Sequence, residues 1–180
     1  MSLYLLEYGL TASDRAEVER ALETLAAAIH QAAGTLIEAQ VATDLGRLYA
    51  VVEHEQGEAL AAALALVDLS PHAIAPVRLV GATVEEVKAA AGLQARYLVE
   101  WDLPAGLTMD QYLARKAAKS PRYAEVPEVR FLRTYVREDL AKCLCFYAAP
   151  DEAAVRRARA VVEAPIDRLT RLAERTRAVV

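Results

Sequence analysis

Apolar positions in the first half of the chain recur at spacings that predict a fixed order of strands and helices. The aromatic-rich run over residues 3–8 predicts a strand. Apolar residues then recur at helical spacing from Val18 to Ile29, which predicts a helix capped by Thr11 or Ser13 and ended by Gly34. The remaining predicted elements are a strand over 35–42, a turn in which Gly46 takes positive φ, a strand over 47–53, a helix over 58–67 and a strand over 73–80.

The second half predicts the same order of elements. They are a strand over 97–103, a helix capped by Thr108, an irregular loop over 120–127, strands over 129–137 and 142–148, and a helix that begins at Pro150. After Pro165 the apolar spacing fits either a strand or a helix. Between the halves, residues 82–91 predict a connecting helix closed by Gly92. The order β-α-β-β-α-β is the ferredoxin-like arrangement.

Direct self-similarity supports two copies of one unit. Residues 3–10 return as 96–103 with Tyr, Leu, Glu and Leu in step, and the Asp-Leu pair at 44–45 returns at 139–140. We therefore predict an α+β fold of two tandem ferredoxin-like units with antiparallel sheets, packed as an internal pseudo-dimer. The predicted boundaries are a degenerate first copy over 1–81, a helical linker over 82–95 and a second copy over 96–180.

The amino-acid composition limits which binding partners and which cellular compartment are expected for this protein. The net charge of −4 argues against nucleic-acid and membrane partners, which favour a clustered basic face. The start of the chain lacks a basic segment followed by a long apolar run, and the two cysteines fit reduced thiols, so we predict a cytoplasmic protein. The arginines near the end of the chain alternate with acidic residues and are interpreted as a solvated helix face. They are Arg156, Arg157, Arg159, Arg168, Arg171, Arg175 and Arg177.

Several linked patches of the second unit resemble one protein family. They are Tyr-Leu-Val-Glu-Trp-Asp-Leu at 97–103, Thr-Tyr-Val at 134–136, Lys-Cys-Leu-Cys-Phe-Tyr-Ala-Ala-Pro-Asp at 142–151, Val155-Arg156, Ala158 and Pro165. This pattern resembles the DUF4242 family of small bacterial proteins of uncharacterised function, whose best-known branch is described as nickel-binding. The resemblance implies a ferredoxin-like fold that pairs through its open sheet face. Glu163 departs from the glycine usual in the family, which puts the turn there in question.

The histidines do not support transfer of the nickel site to this chain. Nickel favours several convergent imidazole nitrogens. His30, His54 and His72 all lie in the first unit, and the second unit, which carries the resemblance, has no histidine. We interpret the three as surface or capping residues and predict no metal ligands.

Two equivalent glutamates are the leading candidates for a ligand site. By strand alternation, Glu7 and Glu100 point away from the helix layer, towards the open sheet face. If the two sheets pack face to face, the carboxylates would approach a shared cleft, where desolvation would raise their pKa. The alternative is an ordinary ion pair with Arg133 or Lys142. Further weak candidates for ligand binding are Tyr97, Trp101 and Tyr135.

Two other groups could carry chemistry. Cys143 and Cys145 share a strand face and could bind a soft metal or react, but no second Cys or His pair completes a site, which favours small core residues. Cys145 nevertheless stays among the weak ligand-binding candidates. Tyr123, with Arg122 and Lys119, could form a lid with a cationic contact for an anionic ligand, or simply a solvated loop.

These features predict a protein that binds a small molecule or ion, with the ligand at the interface between the two units. One alternative is a cofactor-free enzyme of the dimeric α+β-barrel type, with isomerase-like or monooxygenase-like chemistry; this rests on fold analogy. The other is a structural or regulatory protein-interaction module that uses exposed sheet edges. Catalytic residues and cofactors are unknown at this stage, and association into a homo-oligomer is left open.

Overall fold

A computed structural model of the chain describes residues 1–89 and 94–174. The described residues divide into two compact units. Unit 1 comprises residues 1–77, 84–89 and 173–174, and unit 2 comprises residues 78–83 and 94–172. The predicted closing residue Gly92 and the arginines Arg175 and Arg177 lie outside the described residues.

Unit 1 is built on four antiparallel strands with one helix-covered face. Its elements are β1 Ser2–Gly9, α1 Arg15–Gln31, β2 Thr35–Val41, β3 Arg47–His54, α2 Gly57–Ala65, β4 Ala73–Val80 (in this unit up to Val77) and α3 Val84–Ala89. The strand order is β2-β3-β1-β4, with β1 antiparallel to both β3 and β4. Alternation places Leu6 and Tyr8 in the core with Leu22 and Leu60, and leaves Glu7 on the other face.

Unit 2 repeats this arrangement. Its elements are β5 Tyr97–Asp102, α4 Met109–Lys119, a 3-10 helix Ser120–Glu125, β6 Arg130–Arg137, β7 Lys142–Ala148, α5 Glu152–Val161 and β8 Arg168–Arg171. The strand order is β6-β7-β5-β8. Strand β8 pairs with β5, so a strand follows Pro165. The segment expected to be an irregular loop instead forms the 3-10 helix, with Pro121 in its first turn.

Both units therefore place their strands in the order second, third, first, fourth, which is the ferredoxin-like arrangement. The described residues contain eight strands and five α-helices, in a mixed α/β fold with antiparallel pairing. Descent of the two units from a tandem duplication, their packing as a pseudo-dimer and the exact domain boundaries stay predictions.

The repeated Asp-Leu pair forms the same hairpin turn in each unit. Leu45 and Leu140 adopt left-handed φ angles of 59° and 56°. Asp44 Oδ1 accepts a hydrogen bond from the Gly46 backbone N–H at 2.9 Å, and Asp139 Oδ1 accepts one from the Ala141 N–H at 3.0 Å. Leu45 thus takes the positive φ that was predicted for Gly46, because the aspartate two residues before Gly46 stabilises the turn locally.

The helix starts follow from side-chain caps. Asp14 caps α1 by accepting from the Glu17 N–H at 2.9 Å, so the predicted caps Thr11 and Ser13 were wrong. Thr108 caps α4 as predicted, in a capping box with Gln111. Asp151 caps α5 through the Ala154 N–H at 2.7 Å, one residue after the predicted start at Pro150. No helix within the described ranges is long and apolar enough to cross a bilayer.

Candidate functional site

Unit 2 contains a cavity of about 40 Å³ between its helices and its sheet. Trp101 on β5 and Cys145 on β7 reach it from the sheet, because alternation turns both towards the helices. Helix α4 contributes side chains three and four residues apart, which lie on one helix face. The lining residues are Trp101, Tyr112, Arg115, Lys116, Lys119, Ser120, Tyr123, Cys145, Arg159, Val162 and Ala164. A cavity of this volume has room for water or a small ligand.

Cys145 is surrounded by hydrogen-bond donors. Its side chain is 1% exposed, and the Thr134 hydroxyl donates to its Sγ at 3.1 Å. Arg159 Nη1 lies 3.5 Å from the same sulfur and Cys143 Sγ lies 3.9 Å from it. Lys116 Nζ donates to the Thr134 oxygen at 3.0 Å, which leaves the hydroxyl hydrogen directed at the sulfur. This geometry favours a thiolate acceptor over a neutral thiol.

The two neighbouring cysteines have opposite protonation preferences. The hydrogen bond from Cys143 lowers the pKa of Cys145, burial opposes it, and the positive charges of Lys116 and Arg159 lower it further, so the net pKa lies well below the usual thiol range. The same hydrogen bond, with burial, raises the pKa of Cys143 well above that range. Of the two, Cys145 therefore favours the thiolate form and Cys143 the protonated form.

Arg159 is a buried cation at the floor of the cavity. It is 3% exposed, and its Nη1 donates to the Tyr147 hydroxyl at 3.3 Å while its Nη2 donates to the Pro165 carbonyl. Its Nε–H has no acceptor, and no carboxylate within the described ranges pairs with it. Burial alone would lower the pKa of Arg159, but Cys145 and Tyr147 outweigh burial and raise it, so the guanidinium stays charged.

The rim of the cavity carries further positive charge, partly neutralised by Glu163. Glu163 Oε2 lies 2.8 Å from Lys119 Nζ, and its Oε1 lies 3.0 Å from Arg122 Nη1. Its backbone carbonyl accepts from Arg115 Nη2 at 2.6 Å. Lys116, in contrast, has its Nζ 4.1 Å from the centre of the Phe131 ring and no ion pair with a described carboxylate.

Tyr123 lines one side of the cavity and contacts the buried Tyr147. The hydroxyls of Tyr123 and Tyr147 are 2.8 Å apart, and Tyr123 stacks on Phe131 at a centroid distance of 5.4 Å. Burial raises the pKa of Tyr123 to about 12 and that of Tyr147 well above its usual value. Both hydroxyls therefore stay protonated, and that of Tyr123, which lines the cavity, can donate to a bound anion.

The structure separates the residues that the sequence had grouped as ligand-binding candidates. Trp101, Tyr123 and Cys145 line the cavity. Tyr97 packs in the same apolar core without lining the cavity, and Tyr135 packs edge-on against Phe146 on the opposite sheet face. Lys119 also lines the cavity, close to Tyr123, whereas Arg122 pairs with Glu125 and Glu163.

Glu100 has a structural ion pair in place of the expected raised pKa. Its side chain is 1% exposed, with Lys142 Nζ 2.8 Å from Oε1 and Arg168 Nε 3.2 Å from Oε2. Burial pushes the pKa of Glu100 up, but the contacts with Lys142 and Arg168 together outweigh it and lower the pKa. The raised pKa that desolvation was expected to give is therefore not found for Glu100, which forms the alternative ion pair with Lys142. Glu7 is also buried and has interaction partners of its own.

The histidines occupy surface and capping positions. His54 Nδ1 accepts from the Gln56 N–H at 3.0 Å, so its Nε2 carries the hydrogen and donates to the Ala32 carbonyl, 2.8 Å away, at the end of α1. His30 and His72 are exposed. Over residues 1–89 and 94–174, no three His, Cys, Asp or Glu side chains converge in a way that could hold a metal ion. The donor set described here does not fit nickel.

Sequence reasoning missed the residues that give the cavity its charge. Arg159 was read as part of a solvated face, yet it follows Val155 by four residues on the buried stripe of α5. Lys116 follows the buried Tyr112 by four residues on α4 in the same way. This i, i+4 spacing from an apolar residue was the available signal for both cations.

Comparisons with known proteins agree with the fold. Residues 97–172 match the model of the nickel responsive, SCO4226-like proteins. The chain matches no curated protein. Among solved structures it is similar to TA0507, a candidate chlorite dismutase, with a TM-score of 0.54 and 15% identity over 97% of this chain and 96% of that one. It is also similar to a candidate monooxygenase from Lactobacillus acidophilus NCFM, with a TM-score of 0.50 and 11% identity over 96% and 92% of the two chains. At such low identity the likeness concerns the fold alone.

Proposed function

We propose that unit 2 is a ligand-binding module that holds a small anionic molecule in the helix-side cavity. The observation that carries this proposal is Arg159, a charged guanidinium that is 3% exposed, lines the cavity and has an Nε–H with no acceptor in the described residues. A buried cation without a carboxylate is costly unless another anion neutralises it.

The net charge around the cavity is positive even when the Cys145 thiolate is counted, which favours binding of a second anion. Arg159 and Lys116 contribute two positive charges, and the Cys145 thiolate offsets one of them. Lys119 is already paired with Glu163 at the rim. Arg115 also lines the cavity and donates to the Glu163 backbone carbonyl, not to a carboxylate. At least one positive charge is therefore uncompensated at the cavity, which suits a small anion.

The size and lining of the cavity point to a short carboxylate. A volume of about 40 Å³ limits the ligand to a few heavy atoms unless the walls move. Trp101 and Val162 supply apolar surface for a short carbon chain, and the Arg159 Nε–H supplies a donor for one carboxylate oxygen.

Binding can be tested with matched charged and neutral probes. Propionate should raise the Tm of the protein and give saturable heat in calorimetry, whereas propionamide, of nearly the same shape, should do neither. Arg159→Leu should abolish the propionate effect. Leucine is chosen because α2 of unit 1 carries buried Leu60 and Leu64 at the same i, i+4 spacing as Val155 and Arg159.

Arg156→Met is the matched control on the same helix. Arg156 is exposed and pairs with Glu152, so this variant removes a positive charge without touching the cavity. It should bind propionate like the wild type. Equal stabilisation by propionate and propionamide, or unchanged propionate binding by Arg159→Leu, would contradict the proposal.

The similarity to nickel responsive proteins is a separate matter from this site. The matched segment contains no histidine, and among the described residues Cys145 is the one soft donor that lines the cavity, with Cys143 Sγ 3.9 Å from it. Calorimetry with nickel chloride should therefore show no stoichiometric binding to unit 2. The ligand site that the sequence predicted at the interface between the two units, the enzymatic alternative and homo-oligomer formation stay predictions.

A further inference from the structure

We infer that Cys145 is a nucleophile that attacks small anionic electrophiles bound beside Arg159. The inference rests on the proposed anion site and adds a covalent step to it. The ligand class is a short carboxylic acid with an electrophilic carbon next to the carboxylate.

Two independent features converge on this assignment. Cys145 Sγ accepts a hydrogen bond from the Thr134 hydroxyl at 3.1 Å and lies 3.5 Å from Arg159 Nη1. Both contacts stabilise a sulfur anion. Separately, the buried Nε–H of Arg159 has no acceptor in the part of the chain that the structure describes. Arg159 links the two features, because the guanidinium whose Nη1 faces the sulfur also carries the unpaired Nε–H and lines the same cavity.

The step balances without an added oxidant, reductant or proton donor. A lone pair of the Cys145 thiolate forms an S–C bond, and the bond between that carbon and its leaving group breaks, so the leaving group departs with the electron pair. Cys143 keeps its proton throughout and loses only its thiolate acceptor. Arg159 and Lys116 stay charged, and the carboxylate of the product offsets one of their two charges.

Alkylation by iodoacetate and by its neutral analogue iodoacetamide tests the inference. In the folded protein at neutral pH, peptide mapping by mass spectrometry should show iodoacetate modifying Cys145 faster than iodoacetamide does. In the protein unfolded by denaturant the order should reverse, because no cation then selects the charged reagent. Unreactive propionate should protect Cys145 in the folded protein, a readout that needs no variant.

Three variants test where the alkylation occurs and which cation makes it selective for an anion. Arg159→Leu should lower the iodoacetate rate at Cys145 by about tenfold or more, since it removes a charge-assisted contact. Arg156→Met should leave the rate unchanged. Cys145→Ser should remove the modified peptide and retain stabilisation by propionate.

The outcomes separate this inference from the function on which it rests. Propionate stabilisation without iodoacetate labelling of folded Cys145 would overturn the inference and leave anion binding intact. Loss of both effects would overturn both. Faster labelling by iodoacetamide than by iodoacetate in the folded state would also overturn the inference, because the cavity would then confer no selectivity for an anion.

Discussion

Replacing Glu100 by glutamine removes the centre of a buried charge cluster in unit 2. Lys142, 15% exposed, loses the carboxylate oxygen 2.8 Å from its Nζ. Arg168, 37% exposed, loses a contact at 3.2 Å but keeps Asp102, whose Oδ1 lies 2.6 Å from its Nη2. Breaking a fully buried pair costs roughly 3–5 kcal/mol. Since Arg168 retains a partner and solvent, we expect Glu100→Gln to lower the free energy of unfolding by about 2–3 kcal/mol.

Lowering the pH should remove this difference in the free energy of unfolding between the wild type and Glu100→Gln. The folded-state pKa of Glu100 is lowered, so its stabilisation is complete above the unfolded-state pKa of about 4.3 and is lost as the pH falls through the folded-state pKa. The gap between wild type and Glu100→Gln should therefore be constant from about pH 6 to pH 7 and shrink below about pH 4.

Urea unfolding followed by tryptophan fluorescence is the appropriate assay. Trp101 is the single tryptophan of the chain, and it lies in unit 2 next to Glu100. Glu128→Gln is the matched control, because Glu128 pairs with Arg157 on the surface and should change stability little. A loss from Glu100→Gln no larger than the control's, or a gap that persists in acid, would refute the reasoning.

Three further changes probe the cavity and the helix that carries Arg159. Glu163 has a left-handed φ of 54°, which glycine adopts more easily than glutamine, so the Tm of Glu163→Gly should be ~2–4 °C above that of Glu163→Gln. Both variants should bind propionate more tightly than the wild type, because Lys119 and Arg122 lose their carboxylate partner. The ultraviolet thiolate absorbance of Cys145 should persist well below the ordinary thiol pKa of about 8.5 and be missing in Cys145→Ser; its absence from native protein at pH 7 would contradict the lowered pKa. Asp151→Ala should cost about 1 kcal/mol in a urea titration by removing the cap of α5, and an unchanged midpoint would show that the cap contributes nothing.

Strand alternation made much of the fold predictable. A period of two assigns Tyr97, Val99 and Trp101 to the helix face and Glu100 to the other face without knowledge of the partners. The choice between a functional carboxylate and an ion pair could not be made this way. It depends on Lys142 from β7 and Arg168 from β8, and the latter strand was the least certain element of the pattern.

The electrostatics of the cavity were beyond the sequence because they depend on contacts between separate elements. Cys143 and Cys145 share a strand face and look equivalent in the sequence. Contacts from other elements distinguish them. Besides the hydrogen bond from Cys143, the charges of Lys116 on α4 and Arg159 on α5 and the Thr134 hydroxyl on β6 lower the pKa of Cys145. Arg159 stands in a segment with several other arginines, so its burial can be predicted only when its position on the helix is compared with the positions of the apolar residues.

Comparison of the two units explains why Arg159 is better understood as a ligand-binding residue than as a source of stability. Counted from their matching hairpin turns, Leu48, Ala50 and Val52 of unit 1 correspond to Cys143, Cys145 and Tyr147, and Leu64 corresponds to Arg159. In unit 1 all four positions are apolar and buried, so the same scaffold packs well without a thiol, a phenol or a guanidinium. A buried arginine costs desolvation energy that a leucine does not. The polar set in unit 2 therefore lacks a packing rationale, and the proposed anion would add a counter-charge to that of Cys145.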